Sequence, residues 1–217
     1  MNIAADTADM AVLCFGDRRL PGPLHGLATH RVESPADIDA AIGPYRRLVV
    51  LGDDAELAAV LSRLLRAGRL DVEVAYVPRR RTHATRIYRA PAGWRAAWRA
   101  RRGAPGRVTL VRDETGAVIV GRAGWRPPVD QQRIHGEAVV DDTRLFDGDV
   151  TGADIEPTLA VPGLRAAVHG RWRRWVPGRA VQLGSTGVVV VRDGVPALRA
   201  ARRSTFYRHV EGWLLVR

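Results

Sequence analysis

The sequence predicts an α/β N-terminal domain with a mostly parallel sheet over residues 1–103, followed by a β-rich, sandwich-like domain over residues 104–217. Three observations lead there. Up to about residue 103 the pattern alternates β-branched runs with helical periodicity, whereas the remainder consists of short strands and turns. In the first half one amphipathic helix is flanked on both sides by strands, which pack naturally as a right-handed βαβ unit with parallel strands. In the second half, turn signals at Glu114-Thr115-Gly116 and Asp193-Gly194 mark hairpins.

The elements follow in order. Residues 11–15 form the first strand. Ser34 then caps a short helix with Pro35 at its first position. Residues 47–51 are the next strand. Directly after it Asp53 and Glu56 stand at capping-box spacing, and Leu57, Val60, Leu61, Leu64 and Leu65 share one helical face that ends near Gly68. A strand over residues 71–77 stops at Pro78. Residues 92–101 predict a short helix with Trp94 and Trp98 four residues apart and arginines at 95, 99, 101 and 102. Because helical aromatic pairs usually belong to cores, the favoured reading packs both tryptophans on the sheet and turns the arginines to water; the alternative is a stacking surface for nucleic acid. Beyond Gly103 a hairpin joins residues 107–112 to 117–121, and later strands fall at 135–141, 164–169, 188–192, 205–210 and 213–216.

Composition narrows the function. An apolar fraction of 46% over 217 residues suits a globular chain. No window is apolar enough for a membrane span and no secretory signal opens the sequence, so a cytoplasmic protein is expected. Cys14 sits in an apolar strand and reads as a buried small hydrophobe. All 34 basic residues are arginine, and the net charge is +11. The absence of lysine excludes Schiff-base chemistry, a P-loop lysine and a lysine general base, so phosphate contacts must come from arginine, backbone amides or a metal. The positive charge favours anionic partners. The six histidines show no zinc spacing, and no Gly-x-Ser-x-Gly elbow occurs.

A strand that ends in a short turn and starts a helix aims free amides at the turn, where α/β folds commonly hold phosphates. Here the turn is Gly52-Asp53-Asp54-Ala55-Glu56. Its carboxylates suit the helix dipole but repel a phosphate unless Mg2+ intervenes, so Asp54 is either a metal ligand or part of a solvated cap. Arg79, Arg80 and Arg81 at the next strand end are either a bidentate phosphate clamp or a solvated basic loop.

These segments resemble the diacylglycerol-kinase family of lipid kinases, which shares its nucleotide domain with NAD kinases. The family signature Gly-Gly-Asp-Gly-Thr, then Leu-Asn-Glu-Val, is similar to residues 52–60, with Gly52, Asp54, Leu57 and Val60 matching and Asp53, Ala55, Glu56, Ala58 and Ala59 departing. Its Ile-Pro-x-Gly-Thr-x-Asn-Asp segment aligns with residues 77–84, where the strand end and Pro78 match. In the second half Phe146-Asp147-Gly148-Asp149, Ile155-Glu156-Pro157 and Pro162-Gly163-Leu164 are similar to the family's turn punctuation, and Asp193-Gly194-Val195 to its late Asp-Gly-Glu motif. The resemblance implies that the two N-terminal loops face each other across ATP, that Mg2+ lies near Asp54, and that the general base position is Val195, which accepts no proton, with Asp193 the nearest substitute. The chain is shorter than typical members, which implies a reduced lipid domain and a missing opening phosphate segment.

Two functions follow. The first is a lipid-kinase-like phosphotransferase, weakly active or inactive, using ATP bound through Gly52, Asp53, Asp54 and Arg79 to Arg81, with Asp193 as catalytic group. The second is a non-catalytic arginine-rich protein that binds an anionic ligand: a lipid headgroup, with peripheral membrane contact, a nucleotide or another small molecule, or, less favoured, nucleic acid through the arginines of residues 95–102 and 171–174.

Overall fold

The computed structural model describes residues 9–217, which divide into two compact units. The first runs up to Val108 and includes Glu211–Arg217; the second is Thr109–Val210. The sequence pattern puts the boundary at 103/104 and gives the whole C-terminal remainder to the second domain. The last seven residues instead return to the first unit, because the strand Trp213–Val216 inserts between two strands of its sheet.

In the first unit the elements are β1 (Met10–Phe15), β2 (Ala28–Val32), α1 (Pro35–Ala41), β3 (Arg47–Leu51), α2 (Asp54–Arg66), β4 (Glu73–Tyr76), α3 (His83–Ile87), α4 (Gly93–Arg102) and β5 (Pro105–Val108). The sheet order is β2-β1-β3-β4, then Trp213–Val216, then β5. All neighbours are parallel except the last pair. The β3-α2-β4 unit has the predicted parallel pairing, with Arg47 opposite Glu73 and Val50 opposite Tyr76. β1 and β3 are buried along their whole lengths, as expected of inner strands covered on both faces. Cys14 is buried in β1.

Local chemistry sets the helix starts. The Asp37 carboxylate accepts the Ser34 amide at 2.7 Å, and the Thr82 hydroxyl accepts the Thr85 amide at 3.2 Å. Leu57, Val60, Leu61 and Leu64 of α2 are buried, and Arg63 pairs with Asp39 of α1. At the far end of the sheet the Arg47 guanidinium is buried. Its Nε donates to Glu73 at 2.6 Å and its Nη1 to the Ala100 carbonyl at 2.8 Å, which ties the C-terminal turn of α4 to β3 and β4. Tyr88 and Trp213 meet edge-on at 5.3 Å between ring centres.

The buried face of α4 is Ala96, Ala97 and Ala100. This corrects the expected packing of its tryptophans on the sheet: Trp94 is 65% exposed and Trp98 39%. Three alanines on one face bring the helix backbone close to the sheet and leave no room there for an indole, so the large rings stand on the outer side.

Among the described residues the second unit is an eleven-stranded antiparallel system, the β-rich architecture that the sequence predicts. Its spine is the thirteen-residue strand Ala180–Arg192. Residues 181–185 of that strand pair with Ile134–Val140, and residues 189–192 pair with Ala123–Arg126, with a register shift between Gly184 and Val188 against Ala201–Arg208. One strand thus serves two layers, around a core that includes Trp125, Ile155, Val188 and Phe206. The predicted strand over 107–112 is divided: Pro105–Val108 joins the first sheet, and Val111–Asp113 forms a hairpin with Val118–Ile119. Asp113 closes that hairpin by accepting the amides of Thr115 and Ala117, and Gly116 takes φ +86.

The second unit also holds a charge network on the buried carboxylates of strand Ala153–Pro157. Asp154 accepts from Arg126 at 2.5 Å, Arg173 at 2.5 Å and His169 at 3.0 Å, and Arg122 lies 3.4 Å away; Glu156 accepts from Arg122 and Arg165. Arg165 and Arg173 flank the Trp175 ring at 4.4 and 4.3 Å. Burial alone raises a carboxyl, but hydrogen bonds from His169 and Arg126 overcome it and hold Asp154 at about 2. A depressed carboxyl stabilises the fold above its unfolded value of about 3.9, and that stabilisation is lost as the pH falls towards 2. Asp154→Asn, which leaves the guanidiniums of Arg122, Arg126 and Arg173 without this counter-charge, is therefore expected to destabilise the protein by about 3 kcal/mol at neutral pH. In urea denaturation the gap from wild type narrows as the pH drops below about 4.

Candidate functional site

The strand-to-helix turn after β3 is the place where this architecture presents amides to a phosphate, and here the chain's own carboxylates take them. The Asp53 amide donates to Glu56 Oε2 at 2.6 Å, and the Glu56 amide donates to Asp53 Oδ1 at 3.1 Å. The reciprocal pair is the capping box expected from the spacing. Glu56 lies directly over Gly52: a Cβ built on Gly52 falls 2.6 Å from Glu56 Oε2. The space beside the glycine, which would admit a ligand's oxygens, is occupied by a side chain.

Arg18, from the loop after β1, fixes that carboxylate. Its Nη1 donates to Glu56 Oε1 at 3.0 Å, its Nη2 lies 2.9 Å from Oε2, and Nη1 also donates to the Phe15 carbonyl at 2.5 Å. Burial pushes the Glu56 carboxyl above its ordinary value, against the opposing pull of the Asp53 amide and Arg18. Nothing in the sequence links Arg18 to Glu56, because they are brought together only by the pairing of β1 with β3.

Asp54 opens α2 and bridges to the second loop. Its Oδ1 accepts the Tyr76 hydroxyl at 2.8 Å, and its Oδ2 accepts the Ala84 amide at 3.1 Å, at the first turn of α3. The two loops expected to face each other across a nucleotide are thus joined directly. Burial, followed by the Asp54 charge, holds the Tyr76 phenol far above its ordinary range, so it remains a donor. In the sequence Tyr76 is only a phenol near a strand end, with no partner indicated.

The remaining predicted residues fall as follows. Arg79, Arg80 and Arg81 lie exposed between β4 and α3, and none of them is ion-paired to a carboxylate among the described residues. Asp193 belongs to the second unit. At φ +46 it occupies the hairpin tip, and its carboxylate accepts the amides of Val120, Gly121 and Arg122 at 3.0, 2.7 and 2.9 Å. Both of its oxygens therefore hold backbone in place. Val195 is exposed beside it.

At Asp54, where the family resemblance places Mg2+, one carboxylate oxygen accepts from Tyr76 and the other from Ala84, and among the described residues no group of three or more His, Cys, Asp or Glu side chains is placed to hold a metal ion by itself. The first unit also has a feature that sequence reasoning misses. A cavity of about 490 Å3 opens beside α4, lined by Trp94, Arg95, Trp98 and Arg99 together with Arg81 and Arg89. Its signal is the Trp and Arg spacing of α4, which points to the cavity once the alanine face is turned inward.

By sequence the chain matches no family model and no curated protein. By structure it is similar to a diacylglycerol kinase from Bacillus anthracis str. Sterne, with a TM-score of 0.73 at 10% identity over 96% of both chains. It is also similar to an NAD kinase from Archaeoglobus fulgidus in complex with ATP, with a TM-score of 0.64 at 10% identity over 96% of this chain and 93% of the other. A yeast NADH kinase complexed with NADH matches at a TM-score of 0.62 and 8% identity, covering 97% and 83%. The chain therefore has the fold shared by diacylglycerol kinases and NAD kinases. No helix among the described residues is long and apolar enough to cross a membrane.

Glu56→Ala is expected to lower stability by about 1 kcal/mol, the usual worth of a cap interaction, as read by urea denaturation at neutral pH. Glu56→Gln keeps an acceptor for the Asp53 amide but removes the titration. A carboxyl whose folded value is raised weakens the fold as the pH climbs above the ordinary glutamate value of about 4.3, so wild type should lose stability relative to Glu56→Gln over that range.

Proposed function

We propose that the chain is a non-catalytic protein on the diacylglycerol-kinase-like scaffold that binds an anionic ligand through unpaired arginines at the strand end after β4. The observation that carries this reading is the Glu56 carboxylate seated on the Asp53 amide and over Gly52. A phosphate entering that turn would have to displace a half-buried carboxylate clamped by Arg18 and would meet two further carboxylates, Asp53 and Asp54, without a metal between.

The catalytic parts agree with this reading. Phosphoryl transfer relies on positioning and on charge stabilisation by metal and cations, with a group that orients or deprotonates the acceptor. Asp54 is engaged by Tyr76 and Ala84, Asp193 by three amides, and the position of the general base holds Val195. Arg79, Arg80 and Arg81, in contrast, present guanidiniums with no carboxylate partner among the described residues, and an arginine fork matches phosphate oxygens in two-point hydrogen bonds. The net charge of +11 favours the approach of such a ligand.

In calorimetric titration ATP is expected to gain no affinity from Mg2+ and to lose none on Asp54→Ala, and radiolabelled ATP should transfer no phosphate to diacylglycerol in micelles. Tripolyphosphate without metal is expected to bind, and the triple substitution Arg79→Ala, Arg80→Ala, Arg81→Ala to weaken it at least tenfold. Micromolar Mg2+-dependent ATP binding that Asp54→Ala abolishes would restore the phosphotransferase reading.

A further inference from the structure

The outer face of α4 carries a combination that neither the kinase-like scaffold nor the charge alone explains. Trp94 and Trp98 stand out from the protein at 65% and 39% exposure, and they are four residues apart, about 6 Å along the helix axis. Single exposed aromatics are ordinary, but two on one turn, flanked by cations and bordering a cavity, form a platform. The Arg102 guanidinium lies over the Trp98 ring at 5.1 Å and steadies it.

Around these rings stand Arg81, Arg89, Arg95 and Arg99, and none of the four is ion-paired to a carboxylate among the described residues. Arg89 holds a left-handed backbone at φ +53, which an arginine adopts only at a cost, and this conformation sets its place at the cavity edge between α3 and α4. The helix itself is held rigidly. Ala96, Ala97 and Ala100 face the core, Arg47 binds the Ala100 carbonyl, and the Gly93 amide donates to the Pro78 carbonyl at 2.8 Å.

We propose that this face binds single-stranded nucleic acid, with successive bases stacked on Trp94 and Trp98 and the backbone phosphates held by Arg81, Arg89, Arg95 and Arg99. This rests on the anion-binding reading above and gives it a ligand class. Flat rings at a regular step next to unpaired guanidiniums match a strand in which planar groups and charges alternate. A bilayer surface fits less well. An interfacial helix needs a broad apolar face turned outward, whereas the apolar residues of α4 other than its tryptophans are buried alanines, and the tryptophans border a concave space of about 490 Å3.

The test is fluorescence anisotropy of the full chain with labelled twelve-nucleotide oligo-dT and oligo-rU over a range of salt. Parallel titrations use AMP, tripolyphosphate and vesicles containing phosphatidylglycerol. Wild type is expected to bind the oligonucleotides, with affinity falling as salt rises. Trp94→Ala and Trp98→Ala should each weaken oligonucleotide binding about 5- to 100-fold while leaving tripolyphosphate binding unchanged. Arg95→Gln with Arg99→Gln should reduce the slope of log affinity against log salt by roughly 1.4, two contacts of a single strand. Circular dichroism checks that each variant is folded; the four side chains point away from the core, and Trp94→Phe, which keeps a ring, should restore most of the affinity.

Oligonucleotide binding indifferent to both tryptophans overturns the proposal. So do AMP binding as tightly as the twelve-mer, and Trp-dependent binding to vesicles with none to oligonucleotides. If tripolyphosphate still binds and still responds to Arg79, Arg80 and Arg81, such failures leave the anion-binding reading standing. If no anion binds at all, both readings fall together.

Discussion

The seat of the Glu56 carboxylate at the N-terminus of α2 is the interaction on which the reading of this molecule turns. A strand-turn-helix junction has a local positive field and unsatisfied amides whether or not a ligand is present, and something must meet them. Here the answer is internal: Asp53 and Glu56 cap each other, Gly52 leaves room for Glu56 to lie flat, and Arg18 compensates its charge. The same amides cannot serve a phosphate without undoing that arrangement. Within a few residues the apolar positions Leu57 and Val60 lie in the core while the turn's own side chains take its amides.

A second constraint shapes the other side of the first unit. Arg47 and Glu73 form a buried pair between neighbouring parallel strands, and the guanidinium reaches on to the last carbonyls of α4. A buried pair is weak evidence of net stability, but it fixes register and position. With the helix end held there and three alanines against the sheet, the rotation of α4 about its axis is set, and both tryptophans must stand outside. The exposed Trp and Arg face is therefore a consequence of core packing, maintained by Arg47, Glu73 and the buried alanines.

How much of this is legible in the sequence follows from the range of the forces involved. The capping box at Asp53 and Glu56, the strand at 47–51 and the hairpin at Gly116 depend on residues within a few positions of each other, and sequence patterns report them well. β2 leaves no such mark because it is an edge strand with mostly exposed side chains and lacks an apolar run. The segment 107–112 reads as one strand, but its halves pair in different sheets, a choice made by the distant partner Trp213–Val216. The α4 face misleads because large aromatic side chains usually outrank alanine for burial, and only the close approach set by the sheet and Arg47 reverses that order. At the candidate site the departures at Asp53, Ala55 and Glu56 are visible in the sequence. That Arg18 and Tyr76 complete the arrangement is not, since both contacts are made across strands.

The central claim is that the phosphate seat of this scaffold is filled by the chain's own carboxylate. It is tested most directly by determining the wild-type structure from crystals grown with saturating ATP and Mg2+. The account predicts that Glu56 stays on the Asp53 amide beside Arg18, with no triphosphate at the α2 N-terminus. A triphosphate bound at Gly52, with Glu56 displaced and Asp54 turned from Tyr76 to a metal ion, would contradict it.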